Sequence, residues 1–167
     1  MIVLGIDPGY AITGYGLVDY QSNHFSCLSF GVISTPAGTA FELRLLQIAE
    51  ELDQLIQTWK PEAMAVEELF FSRNTTTAIG TAQARGVAIL SGARARLPVF
   101  EYTPMQVKQS VVGYGKAQKQ QVQQMVKILL NLQSAPRPDD AADALAVAIC
   151  HAHSGNRPSA LARGGYQ

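Results

Sequence analysis

Met1-Ile2-Val3-Leu4-Gly5-Ile6-Asp7-Pro8-Gly9 decides how the rest of the chain is read. Residues 2–6 carry no polar side chain. So short an apolar run, ended by a Pro-Gly break, is the pattern of a strand buried on both faces. It delivers a carboxylate, Asp7, at its C-terminal end. In sheets covered by helices, the carboxyl ends of the strands present the functional groups. An acid there is costly unless it is paired or binds a cation. The run has no basic leader, so it reads as a strand rather than a signal peptide and predicts a cytoplasmic protein.

Outward from this strand, residues 13–20 and 25–33 alternate in polarity around the polar turn Gln21-Ser22-Asn23, which predicts a hairpin. Phe41, Leu45, Ile48, Leu52, Leu55 and Trp59 step by three and four, so they form one helical stripe, and Pro61 stops it. Ala63-Met64-Ala65-Val66-Glu67 is a second buried strand ending in an acid. The polar loop 72–77 opens a helix to about Arg96. Its small residues Ala78, Ala82, Gly86 and Ala93 lie along one side, suited to close approach to the sheet or to a second copy. A short strand over 98–102, a short helix over 103–112, a longer helix over 116–132 and a last helix over 139–153 complete the pattern. The expected fold is one α/β domain over 1–153, a mixed five-stranded sheet with helices on both faces, followed by a mobile tail over 154–167.

The chain has 167 residues, 47% of them apolar, enough for one packed core and no membrane span. Cys27 and Cys150 form no CxxC and sit in apolar segments, as reduced core residues do. The formal net charge is zero, yet it is unevenly spread. Between residues 70 and 137, nine basic residues stand against the single acid Glu101. Between 38 and 69, seven acids stand against Arg44 and Lys60. Such asymmetry hints at a basic face with a polyanionic partner.

The chemistry resides in the acids. If the strands ending in Asp7 and Glu67 are parallel neighbours, the two carboxylates sit side by side. Alternation alone leaves Glu68 as a rival to Glu67. Asp140 and Asp143 are three apart and share one helix face. They sit among Ala141, Ala142, Ala144, Ala146 and Ala148, and an alanine-lined helix lies close to a sheet. Asp139 reads as a helix cap, a role also open to Asp140. Four clustered carboxylates raise one another's pKa. A pair of Mg²⁺ ions would balance them and suit phosphodiester hydrolysis. His151, two turns past Asp143, either orients a metal-bound water or is structural.

Gly5-Ile6-Asp7-Pro8-Gly9 with Thr13-Gly14-Tyr15-Gly16, Val66-Glu67, and Asp140-Ala141-Ala142-Asp143-Ala144-Leu145 resemble the bacterial RuvC Holliday-junction resolvases. GTAQARGV at 80–87, VFEY at 99–102 and QVKQSVVG at 106–113 extend the resemblance over about 1–153. It implies a ribonuclease H-like fold and a homodimer. It also implies symmetric, Mg²⁺-dependent nicking of four-way DNA junctions in recombination and repair. It further implies Mn²⁺ as a substitute metal and the branch-migration proteins RuvA and RuvB as partners. Carried over by residue, the catalytic and metal-binding acids are Asp7, Glu67, Asp140 and Asp143. The family's basic pair for DNA falls on Lys108 and Lys119, and its loop aromatic on Phe70. Phe71 stands beside it, so either ring could meet an unpaired base or anchor the loop. Arg73 and Lys116 join the phosphate contacts expected of the basic stretch.

Other readings of the same residues are a nuclease of this fold acting on RNA–DNA hybrids and a nucleotide-binding domain of the actin and Hsp70 kind. The latter also begin with a strand and an Asp-x-Gly turn, but they use two such domains. Gly113-Tyr114-Gly115-Lys116 lacks the frame of a P-loop.

Overall fold

The computed structural model describes residues 1–69 and 75–155. Five strands, β1 (Ile2–Asp7), β2 (Ile12–Gln21), β3 (His24–Ser34), β4 (Ala63–Glu67) and β5 (Val99–Tyr102), form one sheet in the order β3-β2-β1-β4-β5. The hairpin β2–β3 and the pair β1–β2 are antiparallel, whereas β4 and β5 join in parallel, each after a helical crossover. The helices are α1 (Phe41–Trp59), α2 (Thr75–Arg94), α3 (Pro104–Val112), α4 (Lys119–Leu129) and α5 (Asp139–Ser154).

The period-two alternation of the strands sorts side chains onto two faces. Leu4, Ile6, Leu17, Ile33, Met64 and Val66 point to one face, under Ile48, Leu52 and Ile56 of α1 and Ala84 and Ala88 of α2. Val3, Val18, Ala63 and Ala65 point to the other, with α5, α3 and α4. The sheet is therefore mixed, five-stranded and covered on both faces, as the sequence predicts. α5 runs through the second core with eleven buried residues from Ala141 to Ala152. A Cβ at Gly5 would collide with the carbonyl oxygen of Ala144, and one at Gly14 with that of Asp140. These two glycines let α5 lie directly on β1 and β2, which alanines on the helix side also require.

Some boundaries differ from the expected ones. α4 begins at Lys119 rather than 116, with the Gln121 side chain reaching back to accept from the Gln118 amide at 2.8 Å. It ends before Asn131, whose φ is 50°. α5 continues to Ser154, one residue past the predicted domain end. On α2 the residues against the sheet are Ala84 and Ala88, while Gly86 and Ala93 are exposed beside the exposed Ile79 and Leu90. The small residues singled out from sequence are thus not the sheet-packing set. Residues 156–167, read as a tail, lie outside the described residues, as do Phe70, Phe71 and Arg73.

Candidate active site

β1 and β4 are adjacent and parallel, with Ile6 opposite Val66, so the next residues, Asp7 and Glu67, end their strands side by side. Leu4 and Ile6 face α1 and α2, as do Met64 and Val66. Asp7 and Glu67 therefore point to the α5 face. Glu68 lies past the strand, its amide donating to the Tyr102 carbonyl at 2.9 Å. The turn after Asp7 is held from below. Thr13 Oγ1 donates to the Gly9 carbonyl at 2.6 Å and Thr35 Oγ1 to the Tyr10 carbonyl at 2.5 Å. The buried Arg44 donates from Nε to Thr35 Oγ1 at 2.8 Å and lies over the Tyr10 ring, 4.8 Å from its centroid.

α5 supplies the other two acids. Its N-terminal residues cross β2 at Gly14, where the Asp140 backbone sits against the strand. The helix starts at Pro138 as N-cap, and no side chain caps it. Capping therefore explains neither Asp139 nor Asp140. Asp143 follows one turn on, half-buried toward the strand ends.

The electrostatics tie the four together. Burial pushes the Asp7 carboxyl up to about 8, helped by the charges of Glu67, Asp143 and Asp140. Burial likewise raises Glu67, with Asp143 adding to it, while a hydrogen bond with Asp7 pulls the other way. Asp143 is raised by burial, against the pull of Lys119. Asp7, Glu67 and Asp143 hold protons more tightly than solvated carboxyls do, so the cluster is short of positive charge.

Lys119 supplies some of it. Its Nζ lies 2.9 Å from Asp143 Oδ2. This ion pair joins α4 to α5 and was not read from the sequence, because the partners are far apart along the chain. A usable signal existed. Lys119 shares a helical face with the buried Val122 and Val126, so it points where α4 packs on the core. Lys108 on α3 is close enough to Glu67 to favour its charged form. Lys116 is exposed on the turn before α4.

The rest of the basic stretch is partly consumed within the protein. Arg85 of α2 pairs with Glu101 of β5 in the interior, and Arg94 Nη2 reaches Asp53 Oδ2 at 3.3 Å. Arg137 Nη1 reaches Asp139 Oδ1 at 2.9 Å. Among the described residues, the unpaired cationic surface is therefore smaller than the sequence count suggests.

His151 does not fit the water-orienting role. It is fully buried, with its Nδ1 2.8 Å from the Tyr102 hydroxyl and its ring 4.4 Å from that of Phe100. Two turns of helix separate it from Asp143, roughly 12 Å of rise. It packs α5 against β5.

An all-carboxylate donor set fits a hard divalent cation such as Mg²⁺ and suits soft or thiophilic metals poorly. Among the described residues, no three ligating side chains converge on one point. Closing around an ion therefore takes rotation of these carboxylates.

A family model described as Crossover junction endodeoxyribonuclease RuvC matches residues 3–151. A protein of that name from Alkaliphilus metalliredigens is 59% identical over 156 residues, covering 93% of this chain and 95% of that protein. One from Heliobacterium modesticaldum is 60% identical over 154 residues, with 92% and 95% covered. The structure of T. thermophilus RuvC in complex with Holliday junction substrate superposes with a TM-score of 0.84 at 36% identity, covering 92% of this chain and 94% of that one. The yeast mitochondrial Holliday junction resolvase Ydc2 has a TM-score of 0.63 at 14% identity, which is a likeness of fold. The α/β architecture is thus the ribonuclease H-like resolvase fold. Among the described residues, no helix is long and apolar enough to cross a membrane.

Proposed function

Because this chain belongs to the family of the crossover junction endodeoxyribonucleases RuvC, we propose that it resolves four-way (Holliday) DNA junctions by paired symmetric nicks, with Asp7, Glu67, Asp140 and Asp143 as its metal-binding carboxylates. The observation that carries this reading is the gathering of these acids at two strand ends and one helix start, where burial and mutual repulsion hold Asp7, Glu67 and Asp143 above their ordinary pKa. Such a cluster favours cations over solvent.

We take the metal to be Mg²⁺, two per site, with Mn²⁺ able to replace it. Bound there, the pair would supply charge against four carboxylates and polarise both water and the scissile phosphate. The chain's own residues perform the rest. The strand-end acids orient the ligand oxygens, and α5 shuts one side of the cluster from solvent. Lys108, Lys116 and Lys119 contact the phosphates flanking the cut, which positions the DNA without reading bases. Phe70, Phe71 and Arg73 complete the DNA face in this reading, Arg73 as a further phosphate contact.

A symmetric junction asks for two such sites related by a twofold axis. The exposed side of α2, with Ile79, Gly86, Leu90 and Ala93, is our candidate for the homodimer contact. Assembly with RuvA and RuvB, and work in the cytoplasm as one domain over 1–153, rest on the family relationship. Neither the RNA–DNA hybrid nor the nucleotide-binding alternative is favoured by any specific feature.

Asp7→Asn tests the site. Junction cleavage should be abolished while junction binding persists, because the change removes metal charge rather than a phosphate contact. Joint loss of binding and cleavage in a folded variant would remove Asp7 from this role.

A further inference from the structure

Asp139 precedes the paired acids of α5 and stands outside the four-carboxylate cluster. Its carboxylate is nevertheless well held. Oδ1 accepts from Gln123 Nε2 at 2.9 Å and from Arg137 Nη1 at 2.9 Å. Gln123 is itself buried on α4. Oδ2 is thereby presented to Lys119 Nζ, 3.5 Å away. The same ammonium touches Asp143 Oδ2 at 2.9 Å. One lysine thus bridges a carboxylate of the cluster and a carboxylate anchored one helical turn before it.

The consequence follows from charge. Asp143 cannot give the same oxygen to an ammonium and to a divalent cation, and the two cations repel. A lysine held by Asp143 alone would compete with the metal for the site. Once displaced, its half-exposed chain would swing into solvent. A second carboxylate, fixed by two donors, changes both outcomes.

We propose that Asp139 is a positioning residue that holds Lys119 at the rim of the cluster, so that the lysine releases Asp143 to the metal and stays beside the scissile phosphate. The inference rests on the four acids being the metal ligands. Gln123 and Arg137 act through Asp139, and no bond is made or broken.

The test is a Mg²⁺ titration of the full-length protein, followed by the rise in thermal unfolding temperature without DNA. Asp139→Ala should raise the Mg²⁺ midpoint about fivefold, because Lys119 then competes undivided for Asp143. In a Lys119→Met background the same change should move the midpoint by less than about twofold, since only a distant charge is lost. Asp139→Glu should restore the wild-type midpoint. Lys119→Met alone should lower it. An equal shift from Asp139→Ala in both backgrounds would overturn the proposal by making Asp139 a plain charge, and so would an unmoved midpoint. A wild type that Mg²⁺ does not stabilise would instead sink the metal-ligand reading, and this inference with it.

Discussion

Replacing Asp7 by asparagine should stabilise the metal-free protein at neutral to mildly basic pH while it abolishes cleavage. The sign follows from the raised carboxyl. Its folded-state value is about 8 against an ordinary 3.8. The folded protein therefore binds this proton more tightly than the unfolded chain does. Stability rises as pH falls below 8 and stops rising near the unfolded value. Each pH unit in that window is worth about 1.4 kcal/mol. The slope is half of this at pH 8 itself, so from pH 8 to pH 6 the gain is about 2 kcal/mol. Glu67 and Asp143 are raised in the same direction, so the proton belongs to the cluster rather than to one oxygen. For a chain of this size the effect moves the unfolding temperature by roughly 5–10 °C. Asparagine keeps the shape and removes the titration. The assay is thermal unfolding in EDTA at pH 6, 7 and 8 for both proteins, repeated with Mg²⁺. The wild type should lose stability toward pH 8 in EDTA and recover it with Mg²⁺, and Asp7→Asn should show a much flatter profile. Equal wild-type stability at pH 6 and 8 in EDTA would refute the reasoning, as would an unchanged slope in the variant.

Other parts of the account can be checked separately. Lys119→Ala should weaken junction binding and lower its logarithmic salt slope by about one, as loss of one phosphate contact does; an unchanged slope in a salt titration would take Lys119 off the DNA. Gly14→Ala should force the start of α5 away from β2, costing about 2 kcal/mol in denaturant unfolding and most of the cleavage rate, since Asp140 moves with the helix. Wild-type cleavage there would mean that the close approach does not set the site. Tyr102→Phe removes the hydroxyl bonded to the buried His151 and should cost about 1–3 kcal/mol of stability with cleavage per folded molecule unchanged. A selective loss of cleavage would return His151 to the chemistry.

The sheet was legible because each strand carries its own signal. The apolar run before Asp7, the one before Glu67 and the alternating hairpin all fall where strands form. The alanines of α5 mark a close-packing face without coordinates, but the glycines that receive it, Gly5 and Gly14, emerge only from the structure. The facing of Glu67 could not be decided until the register fixed Met64 and Val66 under α1 and α2. The Lys119–Asp143 pair and the buried Arg85–Glu101 pair were missed for one reason. Both join elements distant in sequence, and counting charges along the chain treats each partner as solvated. The start of α4 was misplaced because glutamine rarely signals a helix start, yet the Gln121 side chain accepts from the Gln118 amide there. His151 stayed open between two roles because helical spacing put it two turns from Asp143, and its ring turns into the core against Phe100 and Tyr102, as the structural reading has it.

The central claim is most directly tested by cleavage of a labelled four-way junction with Mg²⁺, beside a linear duplex and an RNA–DNA hybrid of the same sequence. Paired nicks on opposed strands of the junction alone, lost with EDTA and in Asp7→Asn, are the predicted result. Cutting of the hybrid in preference to the junction, or junction cutting that survives EDTA, would contradict it.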